Sequence, residues 1–217
     1  MSHSQPFVFY TERHLVVLTG IQARTLSQLV AGLRDVPGSS IFYHTHRLFL
    51  AHHYVTPLVY NGFALWVEEA LQEEALGEKL AAIDLREFTT IRQLRETIIA
   101  TIRKHVRTTG GRKRICPPGD EFNFCRSKSF VLPMGIVATD VRDFFTKLPG
   151  ITNTSLYFHF LEARLRLGHA TNDFSLWLAS EGAPELARAI DDLDPYVRTL
   201  DELKSDILAL GHQHGVC

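Results

Sequence analysis

The sequence has little cysteine, and the few cysteines form no recognisable framework. They are Cys116, Cys125 and Cys217. An odd number of cysteines argues against a disulfide scaffold and is typical of a protein in a reducing compartment. Cys116 and Cys125 are nine residues apart, which is wider than the spacing of common zinc knuckles, and no second pair would complete four ligands. We therefore predict neither a metal site nor a cofactor.

The sequence also lacks an excess of charge of one sign and long apolar segments. Its 23 Lys and Arg residues and 24 Asp and Glu residues leave a net charge of −1, so no broad field would attract nucleic acid or an anionic membrane. No apolar run approaches the ~20 residues that span a bilayer. Residues 1–5 lack the basic and apolar regions of a signal peptide. These absences predict a cytoplasmic protein that binds neither membranes nor nucleic acid.

Common catalytic motifs are missing as well. The phosphate loop G-x-x-x-x-G-K-S/T, the dinucleotide loop G-x-G-x-x-G, the nucleophile elbow G-x-S-x-G and the zinc motif H-E-x-x-H do not occur. Cys125 has no evident histidine partner that would activate it as a nucleophile. A non-catalytic protein is therefore favoured over an enzyme.

What the sequence does contain is an approximate copy of itself. Residues 6–50 overlay residues 121–165 at a constant offset of 115, with ten identities in 45 positions. Internal similarity is the mark of a repeat architecture. It predicts a tandem duplication of a helical unit of about 95 residues. The predicted segments are a first helical repeat at 6–107, a basic linker containing Gly and Pro at 108–120, and a second helical repeat at 121–214.

The predicted fold is mainly α with short β-prone segments. Alternating apolar residues predict short strands at Phe7–Tyr10, Leu15–Leu18, 122–124 and 130–132. Gly20 and Gly135 follow these strands and are expected to form turns with positive φ. Apolar residues at helical spacing follow polar residues that are suited to cap a helix. The predicted helix starts are Thr25, Ser39-Ser40, Asn61, Thr90, Asp140, Thr154-Ser155, Asn172, Pro184 and Thr199.

Two histidines occupy the same position in the two copies. His44 and His159 fall on the apolar face of the second helix of each copy, where a histidine is usually a core residue with satisfied ring nitrogens. In the alternative interpretation, the copies pack about a pseudo-twofold axis and both rings reach a shared pocket. Charged or polar neighbours would then contribute to ligand binding, with Glu162 as a possible general base. These neighbours are Tyr43, Arg47, Glu162 and Arg164.

A basic segment lies between the copies. Its charged residues are Arg103, Lys104, Arg107, Arg112, Lys113 and Arg114. Such a run is usually a solvated connector. It is also the candidate contact with a partner or with phosphate, although no aromatic residue is interleaved for base stacking.

Several strings resemble a bacterial and archaeal family of uncharacterised proteins that is described only as a domain of unknown function. They are SSIFYHTHR at 39–47, EFNFCRSKSFV at 121–131, SLYFHFLEARLRL at 155–167 and NDFSLWL at 172–178. The resemblance implies a compact, self-standing protein and carries over no site residue.

We therefore expect a non-catalytic binding or regulatory protein, monomeric or homodimeric, whose partner is an unknown protein or small molecule. The alternative is an enzyme, or a binder of a small molecule or metal, with a pocket between the repeats centred on His44 and His159.

Overall fold

A computed structural model describes residues 5–47, 61–109, 114–163 and 171–216 of the chain. These residues form two strands and a series of helices. The strands are β1, Phe7–Ala23, and β2, Phe122–Ala138. The helices are α1, Leu26–Asp35; α2, Gly38–Phe42; α3, Gly62–Glu69; α4, Glu74–Ala81; α5, Ile91–Thr108; α6, Val141–Lys147; α7, Asn153–Tyr157; α8, Asp173–Ser180; α9, Pro184–Asp191; and α10, Leu200–Gln213. Short 3-10 turns cover Leu85–Glu87, Leu148–Gly150 and Pro195–Val197.

The predicted fold class, mainly α with short β-prone segments, is wrong. Strands account for 18% of the described residues beside 58% helix, and β1 and β2, of 17 residues each, pair in an antiparallel two-stranded sheet. We expected two short strands at the start of each copy. Each pair of short strands is in fact one continuous strand. Polar residues such as Thr11 and Arg13 do not interrupt it, because one side of an antiparallel ribbon can face water.

The expected tandem duplication of helical units is also not what the structure contains. One compact unit comprises His14–Lys128, and the other combines Met1–Arg13 with Ser129–Cys217. We call them the α1–α5 unit and the α6–α10 unit after their helices. Each strand gives residues to both units, so neither unit consists of helices alone. The segment boundaries 6–107, 108–120 and 121–214 stay a prediction about the sequence.

In the α1–α5 unit, the start of β2 packs on the helices. Phe122 and Phe124 alternate with exposed Asn123, as expected for a strand with one covered face. Phe124 is fully buried, and a Cβ atom placed on Gly32 of α1 would lie only 2.3 Å from its ring. Glycine is therefore required at position 32 for the strand to approach the helix.

In the α6–α10 unit, the start of β1 has the corresponding role. The Phe9 ring stacks on Phe144 of α6 with centroids 5.3 Å apart, and the Phe7 ring lies 5.5 Å from Phe174 of α8. These aromatic contacts hold the strand against the helices. The core of this unit is thus built from segments far apart in the sequence.

Most predicted helix starts are confirmed. The side chains of Thr25, Asn61, Thr90, Asp140, Asn172 and Thr199 accept hydrogen bonds from the first turn of their helices, and Pro184 opens α9. Two starts are wrong by one or two residues. α2 begins at Gly38 after Pro37, and Thr152 caps α7.

The two glycines that we expected to end the strands have positive φ, +79° at Gly20 and +73° at Gly135. The turns expected there are wrong, because both strands continue for three further residues. No helix in the described ranges is long and apolar enough to cross a bilayer.

Candidate functional site

His44 and His159 each lie in a π-helical stretch. α2 continues into the π-helix Tyr43–Arg47, and α7 continues into the π-helix Phe158–Glu162. Each histidine is the second residue of its stretch. Such widened turns are rare and are often found at functional sites, so both rings are candidate site residues. They belong to different compact units.

Both ring nitrogens of His159 are engaged. Nε2 accepts a hydrogen bond of 2.8 Å from the backbone N–H of Tyr10 in β1, and Nδ1 lies 2.8 Å from Oδ2 of Asp173 at the start of α8. Because Tyr10 donates to Nε2, the ring proton must lie on Nδ1, where it is donated to the carboxylate. His159 is therefore a neutral imidazole in this arrangement.

Ser155, which lies in α7, makes a second side-chain contact with Tyr10. The hydroxyl of Ser155 donates to the Tyr10 carbonyl oxygen over 2.6 Å. Ser155 and His159 together satisfy the backbone N–H and C=O of one strand residue, as a neighbouring strand would do. The imidazole thus closes part of an open sheet edge.

His44 makes a similar contact in the α1–α5 unit. Its Nε2 accepts from the backbone N–H of Cys125 in β2 over 3.0 Å. The ring lies 4.6 Å from the Phe122 ring and 5.3 Å from the Phe63 ring. Burial in these apolar surroundings lowers the pKa of His44 to about 4. The ring is therefore uncharged at neutral pH.

The other residues expected around these histidines have different environments. Tyr43 is half-buried, with its ring edge-on to His44 at 4.9 Å. Glu162 is also half-buried. One of its carboxylate oxygens lies within 4.8 Å of a carboxylate oxygen of Glu12, which is buried. Arg164 and the side chain of Arg47 lie outside the described residues.

Asp173 and Ser155 are site residues that sequence reasoning missed. Asp173 stood in the sequence as part of the string NDFSLWL, directly after the cap Asn172, and Ser155 was predicted only as a helix start. Their hydrogen bonds to His159 and Tyr10 join residues 14 and 145 positions apart, which no local pattern reveals.

A cavity of about 590 Å³ opens beside His159 in the α6–α10 unit. Its wall is rich in aromatic rings and includes one carboxylate. The residues that line it are Gln5, Pro6, Phe7, Val8, Tyr10, Val131, Phe158, His159, Asp173, Leu176, Trp177 and Ser180. The volume suits a small molecule, but the Nε2 lone pair of His159 already accepts from Tyr10.

The basic segment divides into parts with different roles. Arg114 forms an ion pair with Glu73 over 3.1 Å and donates to the carbonyl oxygens of Leu71 and Gln72. Glu73 also lies 3.1 Å from Nε2 of His105. Arg114 is therefore engaged within the unit. Arg112 and Lys113 lie outside the described residues.

Arg103 and Arg107, by contrast, flank a cavity of about 490 Å³ between α1 and α5. The remaining lining residues are mostly apolar, namely Leu26, Ser27, Val30, Ile102 and Val106. Lys104, the third basic residue predicted on this part of α5, is exposed and does not line the cavity.

A second cavity of about 370 Å³ continues along the same two helices and shares Arg103. It is lined by Arg34, Arg95, Glu96, Ile99, Ala100 and Arg103. We call the two cavities together the α1–α5 groove. Of the residues that line the groove, only Arg103 and Arg107 were singled out from the sequence, as part of the basic segment. Arg34, Arg95 and the apolar residues of α1 were not.

The arginines at the groove make few internal contacts. Arg107 donates to the carbonyl oxygen of Arg103 within α5, and Arg95 donates to the carbonyl oxygens of Arg34 and Val36. Within the described part of the chain, neither Arg103 nor Arg107 forms an ion pair. Both guanidinium groups therefore lie beside an apolar floor without a carboxylate partner from the described ranges.

Comparisons with known proteins identify relatives but no activity. A model of a family of unknown function (DUF5752) matches residues 4–211. The structure of OrfY from Thermoproteus tenax is similar at 29% sequence identity, covering 97% of this chain and 96% of that chain with a TM-score of 0.83. No protein in the curated set matches the chain.

Proposed function

We propose that this chain, which belongs to the DUF5752 family of unknown function, is a non-catalytic binding protein whose α1–α5 groove takes an anionic partner. One observation carries the proposal. Arg103 and Arg107 lie at the edge of an apolar cavity of about 490 Å³, and neither forms an ion pair with any residue that the structure describes. A site of this kind recognises a ligand that combines negative charge with an apolar body.

The positive charge can fix the position of an anion. Arg103 and Arg107 are four residues apart on one helix, so their side chains project from the same face. A guanidinium group presents a planar fork of N–H donors that matches a carboxylate, sulfonate or phosphate. The two groups thus offer a ready-made anchor.

The apolar floor contributes the second part of the interaction. Leu26, Val30, Ile102 and Val106 line the same cavity. Burial of apolar surface stabilises a complex by roughly 25 cal/mol per Å². The accessible part of this floor comes from half-buried Val30 and Val106, since Leu26 and Ile102 beneath them are buried. An anion without an apolar body would not cover these valines and would bind more weakly.

The alternative function, an enzyme or small-molecule binder that uses the histidines, draws on one observation, because His159 and Asp173 line a cavity of about 590 Å³. A general base needs an available lone pair within reach of its substrate. The Nε2 lone pair of His159 instead accepts from Tyr10. This contact supports a structural role for the imidazole and so favours the binding protein.

The experiment uses two fluorescent dyes that differ mainly in charge. The anionic dye is 8-anilinonaphthalene-1-sulfonate, and the neutral dye is N-phenyl-1-naphthylamine. We expect the wild-type chain to bind the sulfonate dye saturably. In R103A/R107A its affinity falls roughly tenfold or more, because charge-assisted hydrogen bonds contribute ~1.5–3 kcal/mol each.

Lys104→Ala is the matched control, because Lys104 is an exposed cation on the same helix outside the cavity. It should leave the affinity for the sulfonate dye unchanged, and the neutral dye should not distinguish R103A/R107A from wild type. Equal binding of the sulfonate dye by wild type and R103A/R107A would refute the groove as the site.

A further inference from the structure

We infer that the natural occupant of the α1–α5 groove is an acidic amphipathic α-helix presented by a partner protein. The inference rests on the proposed function, and it names the class of partner. Its support is the length of the groove, the position of its charges and the composition of its floor.

The groove is elongated. The lining residues of α5 extend from Arg95 to Arg107, and those of α1 extend from Leu26 to Arg34. Twelve residues of helix correspond to roughly 18 Å, and eight correspond to roughly 12 Å. A compact ligand would fill one of the two cavities, whereas a helix of three turns would cover both.

The two helices form a trough that suits a third helix. The start of α1 lies beside the end of α5 at Ile102 and Val106, and the end of α1 lies beside Arg95 and Ile99. The helices are thus antiparallel where they form the groove. An amphipathic helix binds in such a trough with apolar residues at i, i+3, i+4 and i+7 facing the floor.

The charges at the groove require an acidic partner. Its lining contains four arginines, Arg34, Arg95, Arg103 and Arg107, against one carboxylate, Glu96. Arg95 donates to the carbonyl oxygens of Arg34 and Val36, so the charge offered to a partner comes mainly from Arg34, Arg103 and Arg107. Carboxylates on both flanks of a bound helix would compensate these charges and would suppress binding of basic helices.

A helix fits the lining better than other polyanions do. Among the described lining residues there is no aromatic ring on which a base could stack, as single-stranded nucleic acid requires. The apolar floor is recessed between helices, whereas a membrane surface is met by apolar side chains that project outward. Vesicles of anionic phospholipid therefore serve as a competing probe in the test.

The test measures fluorescence anisotropy of labelled peptides with the full chain. The acidic peptide has about 16 residues, because shorter helices are marginal in water, with Leu at helical spacing and Glu on both flanks of the apolar stripe. A second peptide has Lys in place of each Glu. A third keeps the composition of the acidic peptide but has Pro in its centre, which breaks the helix.

We expect the wild-type chain to bind the acidic peptide at least tenfold more tightly than the Lys peptide or the Pro peptide. In R103E/R107E this preference reverses toward the Lys peptide. Lys104→Glu, which makes a charge change outside the groove, keeps the wild-type preference. Circular dichroism of each variant verifies the fold. Tighter binding of the Lys peptide by R103E/R107E would also show that this variant is folded, because an unfolded chain would not gain this preference.

The contrary outcomes separate the two proposals. Arginine-dependent binding of the sulfonate dye without preference for the acidic peptide would overturn the helical partner and leave the anionic groove standing. Arginine-dependent binding to vesicles of anionic phospholipid that exceeds binding of the acidic peptide would also overturn it. If the wild-type chain bound neither the dye nor the acidic peptide, the groove would be refuted as a site.

Discussion

Nε2 of His159 accepts a hydrogen bond of 2.8 Å from the backbone N–H of Tyr10, which lies 149 residues away in the sequence. This contact ties the π-helix that follows α7 to strand β1. It gives the buried imidazole a structural task and predicts how the protein responds when the ring is removed.

His159→Ala should destabilise the protein by about 3 kcal/mol, because it leaves the Tyr10 N–H without its acceptor and opens a cavity in an aromatic core. Urea unfolding followed by circular dichroism measures the change. His212→Ala, at an exposed position near the end of α10, is the control and should change stability by less than about 0.5 kcal/mol. Equal effects of the two substitutions would contradict the structural role of His159.

The buried histidines predict a loss of stability in mild acid. Burial lowers the pKa of His44 from 6.5 to about 4 and that of His46 to about 3. As the pH falls below 6.5, these rings therefore take up protons in the unfolded chain before they do so in the folded chain. Each ring then lowers the free energy of unfolding by ~1.4 kcal/mol per pH unit.

Urea unfolding between pH 7 and pH 5 checks this slope. His44→Gln removes one titrating group and can still accept from Cys125, so its stability should fall less steeply with decreasing pH than that of the wild type. Parallel pH profiles for the two proteins would show that His44 is not held neutral by burial.

Gly32→Ala should destabilise the α1–α5 unit by about 1–3 kcal/mol. The new Cβ would meet the fully buried ring of Phe124 at 2.3 Å, so the strand or the helix must shift. Gly150→Ala is the matched control, because a Cβ there meets nothing within 4 Å. Thermal unfolding should separate the two variants by several degrees, and a Gly32→Ala protein as stable as Gly150→Ala would contradict the close approach of β2 to α1.

Glu73 links two basic groups of the α1–α5 unit. Its carboxylate lies 3.1 Å from Nε2 of His105 and 3.1 Å from Nε of Arg114. Glu73→Gln should destabilise the protein by about 1–3 kcal/mol, because both charge-assisted contacts are weakened in a half-buried site. Urea unfolding should show little change for the exposed control Glu74→Gln.

A double-mutant cycle of Glu73→Gln with Arg114→Ala should give a coupling energy of at least about 0.5 kcal/mol. If the effects of the two substitutions on the free energy of unfolding simply added, Glu73 and Arg114 would not stabilise each other.

Local features of the fold could be predicted from the sequence. The caps at Thr25, Asn61 and Asp140 act within three residues of themselves, and residue type at that spacing determines whether they form. The internal similarity located His44 and His159. The basic run located Arg103 and Arg107, although it did not separate them from Arg114.

Long-range features were out of reach for a physical reason. Whether Phe7–Tyr10 and Leu15–Leu18 form one strand depends on pairing with β2 more than a hundred residues later, and strand formation depends strongly on such neighbours. The groove likewise needs α1 beside α5. Leu26 and Val30 have the spacing of core residues, and only the packed helices reveal that they also line an open cavity.

Amide NMR spectra of the isotope-labelled chain titrated with 8-anilinonaphthalene-1-sulfonate locate the binding site. If the α1–α5 groove is the site, chemical-shift changes will concentrate at residues 26–34 and 95–107 and will be lost in R103A/R107A. Changes centred instead on Tyr10, His159 and Trp177, which line the cavity in the other unit, would contradict it.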